Sequence, residues 1–140
     1  MMPMTALSRP YDARRKDGAL LAYPVAAGAR VFKGGLLALA ATGLAQPASD
    51  AAGLVFAGVA YESADNGAGA AGAATVRVLK TGVFSYAKAN AAQADVGKAA
   101  FVVDDSTVAT TATTDSLACG VVVGVPDAAH VQVRIDARVN

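Results

Sequence analysis

The sequence predicts an all-β fold, a small single-domain β-barrel or β-sandwich with an extended N-terminal arm. Three observations predict it. From Ala29 onward, short apolar runs are separated by Gly, Asp, Asn and Pro, the punctuation of many short strands joined by turns. Two stretches, Thr75–Lys80 and His130–Asp136, alternate residue by residue, as half-buried strands do. No segment carries a sustained helical stripe. Gly43 and Pro47 interrupt the Ala-rich run Ala38–Ala52, and the run Tyr86–Ala94 is short.

Residues 1–24 read as the arm. They contain Pro3, Pro10 and Pro24, mixed charge and no sustained period; such segments are usually disordered alone and sometimes order on a partner. The body spans 25–140. Ala29–Phe32 and Leu36–Ala40 flank Lys33-Gly34-Gly35, a hairpin-like break. Leu54–Glu62 is a longer strand. Ser63–Ala73, rich in Asp, Asn, Gly and Ala, reads as a flexible loop. In Thr75–Lys80, Val76 and Val78 share one face, and Arg77 and Leu79 the other. Gly82–Ala87 follows. A helix of one or two turns fits near Asn90–Val96. Ala100–Val103 and Thr107–Thr110 flank Asp104-Asp105-Ser106, a second hairpin-like break. Ala118–Val125 is an apolar run, and Pro126-Asp127 begins a turn. In the last strand Val131, Val133 and Ile135 face one way, and His130, Gln132, Arg134 and Asp136 the other. The whole predicts about eight to ten strands, within the ordinary range for sheets.

The halves of the body resemble each other. Gly28-Ala29-Arg30-Val31-Phe32 matches Gly97-Lys98-Ala99-Ala100-Phe101. Phe56-Ala57-Gly58-Val59-Ala60 matches Ala118-Cys119-Gly120-Val121-Val122. Val76-Arg77-Val78 matches Val133-Arg134-Ile135. The order is the same in both halves, with an insertion at residues 63–73. Either the chain is a structural duplication, or strands built from Ala, Val and Gly resemble each other by chance.

Composition narrows the function. Apolar residues make up 54% of the 140, but aromatics only 6% and Trp none, so the apolar mass is mostly small side chains. Each buries little area, and subunit association would add burial without adding length. A net charge of +1 argues against general nucleic-acid binding, which needs a clustered positive surface. No run of 18 apolar residues predicts a membrane span. The start, Met1-Met2-Pro3-Met4, lacks the basic and apolar regions of a signal peptide, so cytosolic synthesis is expected. One cysteine, Cys119, makes neither an internal disulfide nor a thiolate cluster.

The search for chemistry returns no constellation. His130 is the only histidine; it opens a strand beside a turn, and no nucleophile elbow accompanies it. The acids of the body sit mostly in turns, where Asp caps backbone N–H groups. Asp104-Asp105 lacks the spacing of a calcium loop. One His and one Cys fall short of a structural zinc site. Gly67-Ala68-Gly69-Ala70-Ala71-Gly72 matches GxGxxG only because Gly and Ala alternate there. No enzyme, metal or cofactor is expected. The residues placed for contact with a partner are Arg9, Tyr11, Arg14, Arg15 and Lys16 in the arm, whose cations suit an acidic protein surface.

The ordered segments of the body resemble a family of phage capsid cement, or decoration, proteins. The resemblance rests on Pro24-Val25-Ala26-Ala27-Gly28-Ala29-Arg30-Val31 and on Gly58-Val59-Ala60. It continues through Val76–Phe84 followed by Lys88-Ala89, then Val102-Val103-Asp104-Asp105 to Thr114. It closes with Gly120-Val121-Val122 and Val131-Gln132-Val133-Arg134-Ile135. It covers residues 24–136. The arm before Tyr23 and the Gly/Ala loop at 65–73 depart from the family's pattern.

The resemblance implies a structural virion protein, made in the bacterial cytoplasm and bound on the outer capsid surface. Its partners would be the major capsid protein and copies of itself, a trimer first and a dimer second, with no nucleic acid and no membrane. A second reading, from a different class, is a small β-module binding a glycan or other ligand. Against it, Trp is missing, and Phe32, Phe56, Phe84 and Phe101 lie in apolar strands where core residues are expected.

Overall fold

A computed structural model describes residues 18–137. The described chain is all-β. Its strands are β1 (Leu20–Pro24), β2 (Arg30–Val31), β3 (Leu36–Leu39), β4 (Ala45–Pro47), β5 (Val55–Ala60), β6 (Ala64–Asp65), β7 (Thr75–Leu79), β8 (Thr81–Ala87), β9 (Ala99–Val102), β10 (Val108–Ala109), β11 (Ala118–Asp127) and β12 (His130–Asp136). A single 3-10 turn, Gln93–Asp95, sits where a short helix was expected. Twelve strands exceed the eight to ten expected because two extra short ones, β2 and β6, pair with each other outside the main sheets.

The main strands form two five-stranded antiparallel sheets. Sheet I runs β1-β7-β5-β3-β4, and sheet II runs β8-β12-β11-β9-β10. Numbered by their order within each half, both sheets read first, fifth, fourth, second, third. The register repeats as well. Leu37 pairs with Gly58 and Ala38 with Phe56, so Ala57 is bulged out. Ala100 pairs with Gly120 and Phe101 with Ala118, so Cys119 is bulged out. Val59 pairs with Leu79 as Val121 pairs with Arg134. Tyr23 pairs with Val76 as Tyr86 pairs with Val131. Gly34 N–H donates to Ala60 O at 2.9 Å, and Gly97 N–H to Val122 O at 2.8 Å; both glycines have positive φ, +86° and +92°.

The halves are therefore structural repeats, aligned by position rather than by residue identity. Of the three sequence matches, Phe56–Ala60 with Ala118–Val122 has the true register. The other two are shifted. Gly97 corresponds to Gly34 rather than Gly28, and Val76-Arg77-Val78 corresponds to Val131-Gln132-Val133.

The shared bulge has a packing cause. A Cβ at Gly58 would run into the Leu79 carbonyl, and one at Gly120 into the Arg134 carbonyl. Only glycine lets the fourth and fifth strands of each half approach so closely.

Of the two architectures expected, the structure is sandwich-like rather than a closed barrel. Single parallel bridges, Val25 to Ala45 and Ala87 to Thr107, bring each first strand near its third, but no ladder forms. Pro24 and Pro47, on the two edges of sheet I, have no N–H to extend one. In sheet II the corresponding edge, β10, is two residues long.

Sheet I carries buried residues on both faces. Leu37, Ala60, Val76 and Val78 form one cluster with Val25 and Val31. Leu36, Ala38 and Val59, on the other face, join the buried face of sheet II: Ala100, Val102, Val122, Val131, Val133 and Ile135. Burying each such Val or Leu contributes about 1.5–3 kcal/mol. Polar tethers cross between the halves. Leu36 N–H donates to Asp105 O at 2.8 Å, and Tyr86 Oη to Gly34 O at 2.9 Å. The Asp50 carboxylate accepts from Thr113 Oγ1 and from the N–H groups of Thr114 and Asp115.

Several local expectations change. Residues 20–24, assigned to the arm, are strand β1 of sheet I. Lys33-Gly34-Gly35 is not a hairpin turn, because β2 leaves to pair with β6. The hairpin at Asp104-Asp105-Ser106 does join β9 and β10, and Asp104 Oδ1 accepts from Ser106 N–H at 2.9 Å. Pro126-Asp127 is the end of β11 rather than a turn, which falls at Ala128-Ala129. The Gly/Ala stretch 63–73 contains β6 and is pinned by buried Asn66, whose Nδ2 reaches the carbonyls of Val25, Ala26 and Ala70.

Candidate interaction face

Alternation in β12 sends Val131, Val133 and Ile135 inward and Gln132 and Arg134 outward. The paired strands follow, because cross-strand partners share a face. Val83, opposite Arg134, is 52% exposed, and Val121, also opposite Arg134, is 43% exposed. Val123 is 44% exposed, and Ala99 is exposed beside Val121. The outward side of sheet II thus exposes Val83, Val121, Val123 and Ala99 around Arg134, beside the polar residues Ser85, Gln132 and His130. A groove of about 550 Å³ runs along it, lined by Phe56, Ala118, Gly120, Val121, Val123 and Arg134.

A second concavity, of about 720 Å³, opens beside sheet I and is lined by Leu21, Tyr23, Leu39, Val55, Phe56 and Lys80. Lys80 Nζ is fixed there by Ala57 O at 2.6 Å and Tyr23 Oη at 3.1 Å, and lies 5.1 Å from the Tyr23 ring centroid. Gly18 also lines this cavity, so the chain enters the described region at its rim.

The predicted contact residues Arg9, Tyr11, Arg14, Arg15 and Lys16 lie outside the described residues. Sequence reasoning missed Val83, Val121 and Val123. The signal was present in Ala118–Val125, which is apolar on both faces, as a strand covered on both sides would be. Phe32, expected in the core, is 64% exposed, because β2 ends before it and turns away.

Several titratable groups among the described residues are occupied structurally. His130 Nδ1 lies 2.9 Å from Asp127 Oδ1 at the β11–β12 turn. The Ala129 N–H and the His130 ring hold the Asp127 carboxyl below the usual carboxylate range. Asp95, buried, accepts from Ala92 N–H and is flanked by Lys88 and Lys98, all of which lower its pKa. Burial pushes the Cys119 thiol up to about 12, which keeps it protonated and unreactive. Among the described residues, no three His, Cys, Asp or Glu side chains gather as metal ligands, and no helix is long and apolar enough to cross a membrane.

Comparison with protein-family models, curated proteins and solved structures finds no match.

Proposed function

We propose that the protein is a capsid decoration protein that binds the outer surface of a tailed-phage head and braces contacts between major capsid protein subunits. On this reading it works by binding, not by catalysis, and assembles with the capsid after synthesis in the host cytoplasm. The observation that supports it most is the outward face of sheet II. Val83, Val121 and Val123 stay exposed there, whereas Val59, the equivalent of Val121 in sheet I, is buried. Exposed valines grouped around one arginine suit a protein contact. The order of segments that resembles the cement family supports the same reading, as do the arm cations Arg9, Arg14, Arg15 and Lys16 with Tyr11. Many weak identical contacts on a lattice sum to large stabilisation.

The test is cosedimentation with expanded, undecorated capsids across a salt series. Saturable binding at a fixed ratio to the capsid protein is expected, weakening with salt through the arm. Deletion of residues 2–17 should lower occupancy and leave the body folded; the cut stops before Gly18 because Leu20–Pro24 are a sheet strand. No binding by folded protein would end this reading.

One observation favours the ligand-binding alternative. Exposed Phe32 borders a groove lined by Lys33, Ser85, Asp105, Ser106 and His130, an aromatic beside polar groups. A glycan array with no binder would remove it.

A further inference from the structure

The repeat shows what each exposed surface is equivalent to. In sheet I, Leu36 and Val59 share one buried cluster with Tyr86, Val102 and Ile135 of sheet II. The same positions in sheet II are Ala99 and Val121, and they are exposed. The positions in sheet I equivalent to Tyr86, Val102 and Ile135 are Tyr23, Leu39 and Lys80, and they line the open cavity of about 720 Å³. One contact is thus made once inside the chain; its Ala99/Val121 side recurs exposed, and on the other side Tyr23, Leu39 and Lys80 recur open while Leu37, Ala60, Val76 and Val78 beside them are buried by the chain itself.

The polar links of that contact recur too. Inside the chain, sheet I offers Leu36 N–H and Gly34 O, and sheet II answers with Asp105 O and Tyr86 Oη. The equivalents of the first pair are Ala99 N–H and Gly97 O, on exposed residues of sheet II. The equivalents of the second are Thr42, exposed at the β3–β4 turn, and Tyr23. Tyr23 Oη accepts from Lys80, which leaves its own hydrogen to donate. The groove on sheet II and the cavity on sheet I adjoin each other, because Phe56 lines both.

We propose that the occupant is a second copy of this chain: the Ala99/Val121 face of one copy seats in the Tyr23/Leu39/Val55 cavity of the next, repeating the part of the internal contact that Tyr86, Val102 and Ile135 supply. Such a contact is heterologous, joining two different surfaces, so it propagates head to tail and closes into a ring when the rotation permits. It does not depend on the capsid reading, and it is tested on the purified full chain alone.

Val121→Asp and Val55→Asp each place a charge on one side of the junction. Val121 is 43% and Val55 59% exposed, so both variants keep the fold, as circular dichroism will show. In sedimentation velocity up to about 100 µM, the wild-type chain is expected to associate and each variant to run as a monomer. The decisive arm is a mixture. A Val121→Asp chain carrying Thr42→Cys keeps its cavity, and a Val55→Asp chain carrying Ala99→Cys keeps its face. On oxidation this pair is expected to cross-link as a dimer, whereas the reciprocal pair, with Ala99→Cys on the Val121→Asp chain and Thr42→Cys on the Val55→Asp chain, is not. Cys119 is buried and does not compete. A wild-type chain that stays monomeric at every concentration overturns the proposal. So does an oligomer unmoved by Val55→Asp, the result expected if residues 1–17 of the same chain fill the cavity. Equal cross-linking of both mixtures would show a self-complementary patch instead and overturn it as well.

Discussion

Sheets I and II share strand order, register and bulge, yet they meet different surroundings, and the residues at equivalent positions differ accordingly. Leu36 and Leu79, on the covered outer face of sheet I, correspond to Ala99 and Arg134 on the exposed face of sheet II. Lys80, at the rim of an open cavity, corresponds to Ile135, fully buried. Within the bulge, Ala57 corresponds to Cys119, both buried. Topology is preserved by backbone register and by two glycines, whereas side-chain size and polarity follow what lies opposite. The lesson is that one set of strand pairings tolerates either a packed or an exposed face, provided the strands can still approach one another.

The strongest challenge to this comparison is truncation at equivalent outer-face positions. Leu36→Ala should cost about 3 kcal/mol, because it leaves a cavity between the sheets. The reverse change, Ala99→Leu, should move the stability of the isolated chain by less than about 0.5 kcal/mol, since it extends into solvent. Urea denaturation measures both. A similar loss at the two positions would mean that the face of sheet II is not free.

The glycines sharpen the equivalence rather than the difference. Gly58→Ala and Gly120→Ala should each cost about 2 kcal/mol, since either methyl group meets a carbonyl of the neighbouring strand. Gly58 should suffer somewhat more, because its φ of +133° is itself unfavourable for alanine. If one glycine tolerates alanine in the same denaturation assay, the two bulges are not the same device.

The smallest effect separates the halves electrostatically. Arg77 of β7 binds Glu62 through Nε at 3.0 Å and a second nitrogen at 2.8 Å, but its equivalent in β12 is Gln132. Hydrogen bonds from the Arg77 side chain and backbone lower the Glu62 pKa to about 2. A carboxylate depressed on folding adds stability above its unfolded pKa, near 4.5, and loses it as pH falls towards about 2. Glu62→Gln should therefore make the thermal midpoint fall less steeply between those pH values. The pair is partly exposed, so the change should be small and weaken with salt. An unchanged pH profile would mean that Asp50, Asp95, Asp104 and Asp127, whose carboxyls are also depressed, carry the acid response.

Much of the fold was legible in local pattern. Val76 and Val78, and Val131, Val133 and Ile135, are buried as their alternation required. The Asp104-Asp105-Ser106 turn formed its hairpin because the Asp side chain caps its own turn. Gly34 was harder. Its positive φ looks like a hairpin, but its N–H is taken by Ala60, far along the chain, so β2 is free to pair elsewhere. The candidate interaction face was only half legible. The doubly apolar run Ala118–Val125 announced that both faces of β11 avoid water, but nothing local says which face the chain itself covers.

By itself, then, the sequence determined an all-β chain and the places of most strands and turns, and left open whether its two halves were a duplication. These follow from side-chain periodicity and turn chemistry, which act over a few residues. Only the tertiary structure decided the register of the repeat, the sandwich-like stacking of the sheets, and which equivalent surface is buried and which remains open. Those outcomes depend on carbonyls and side chains brought together from tens of residues apart, where a shift of one residue exchanges the two faces of a strand.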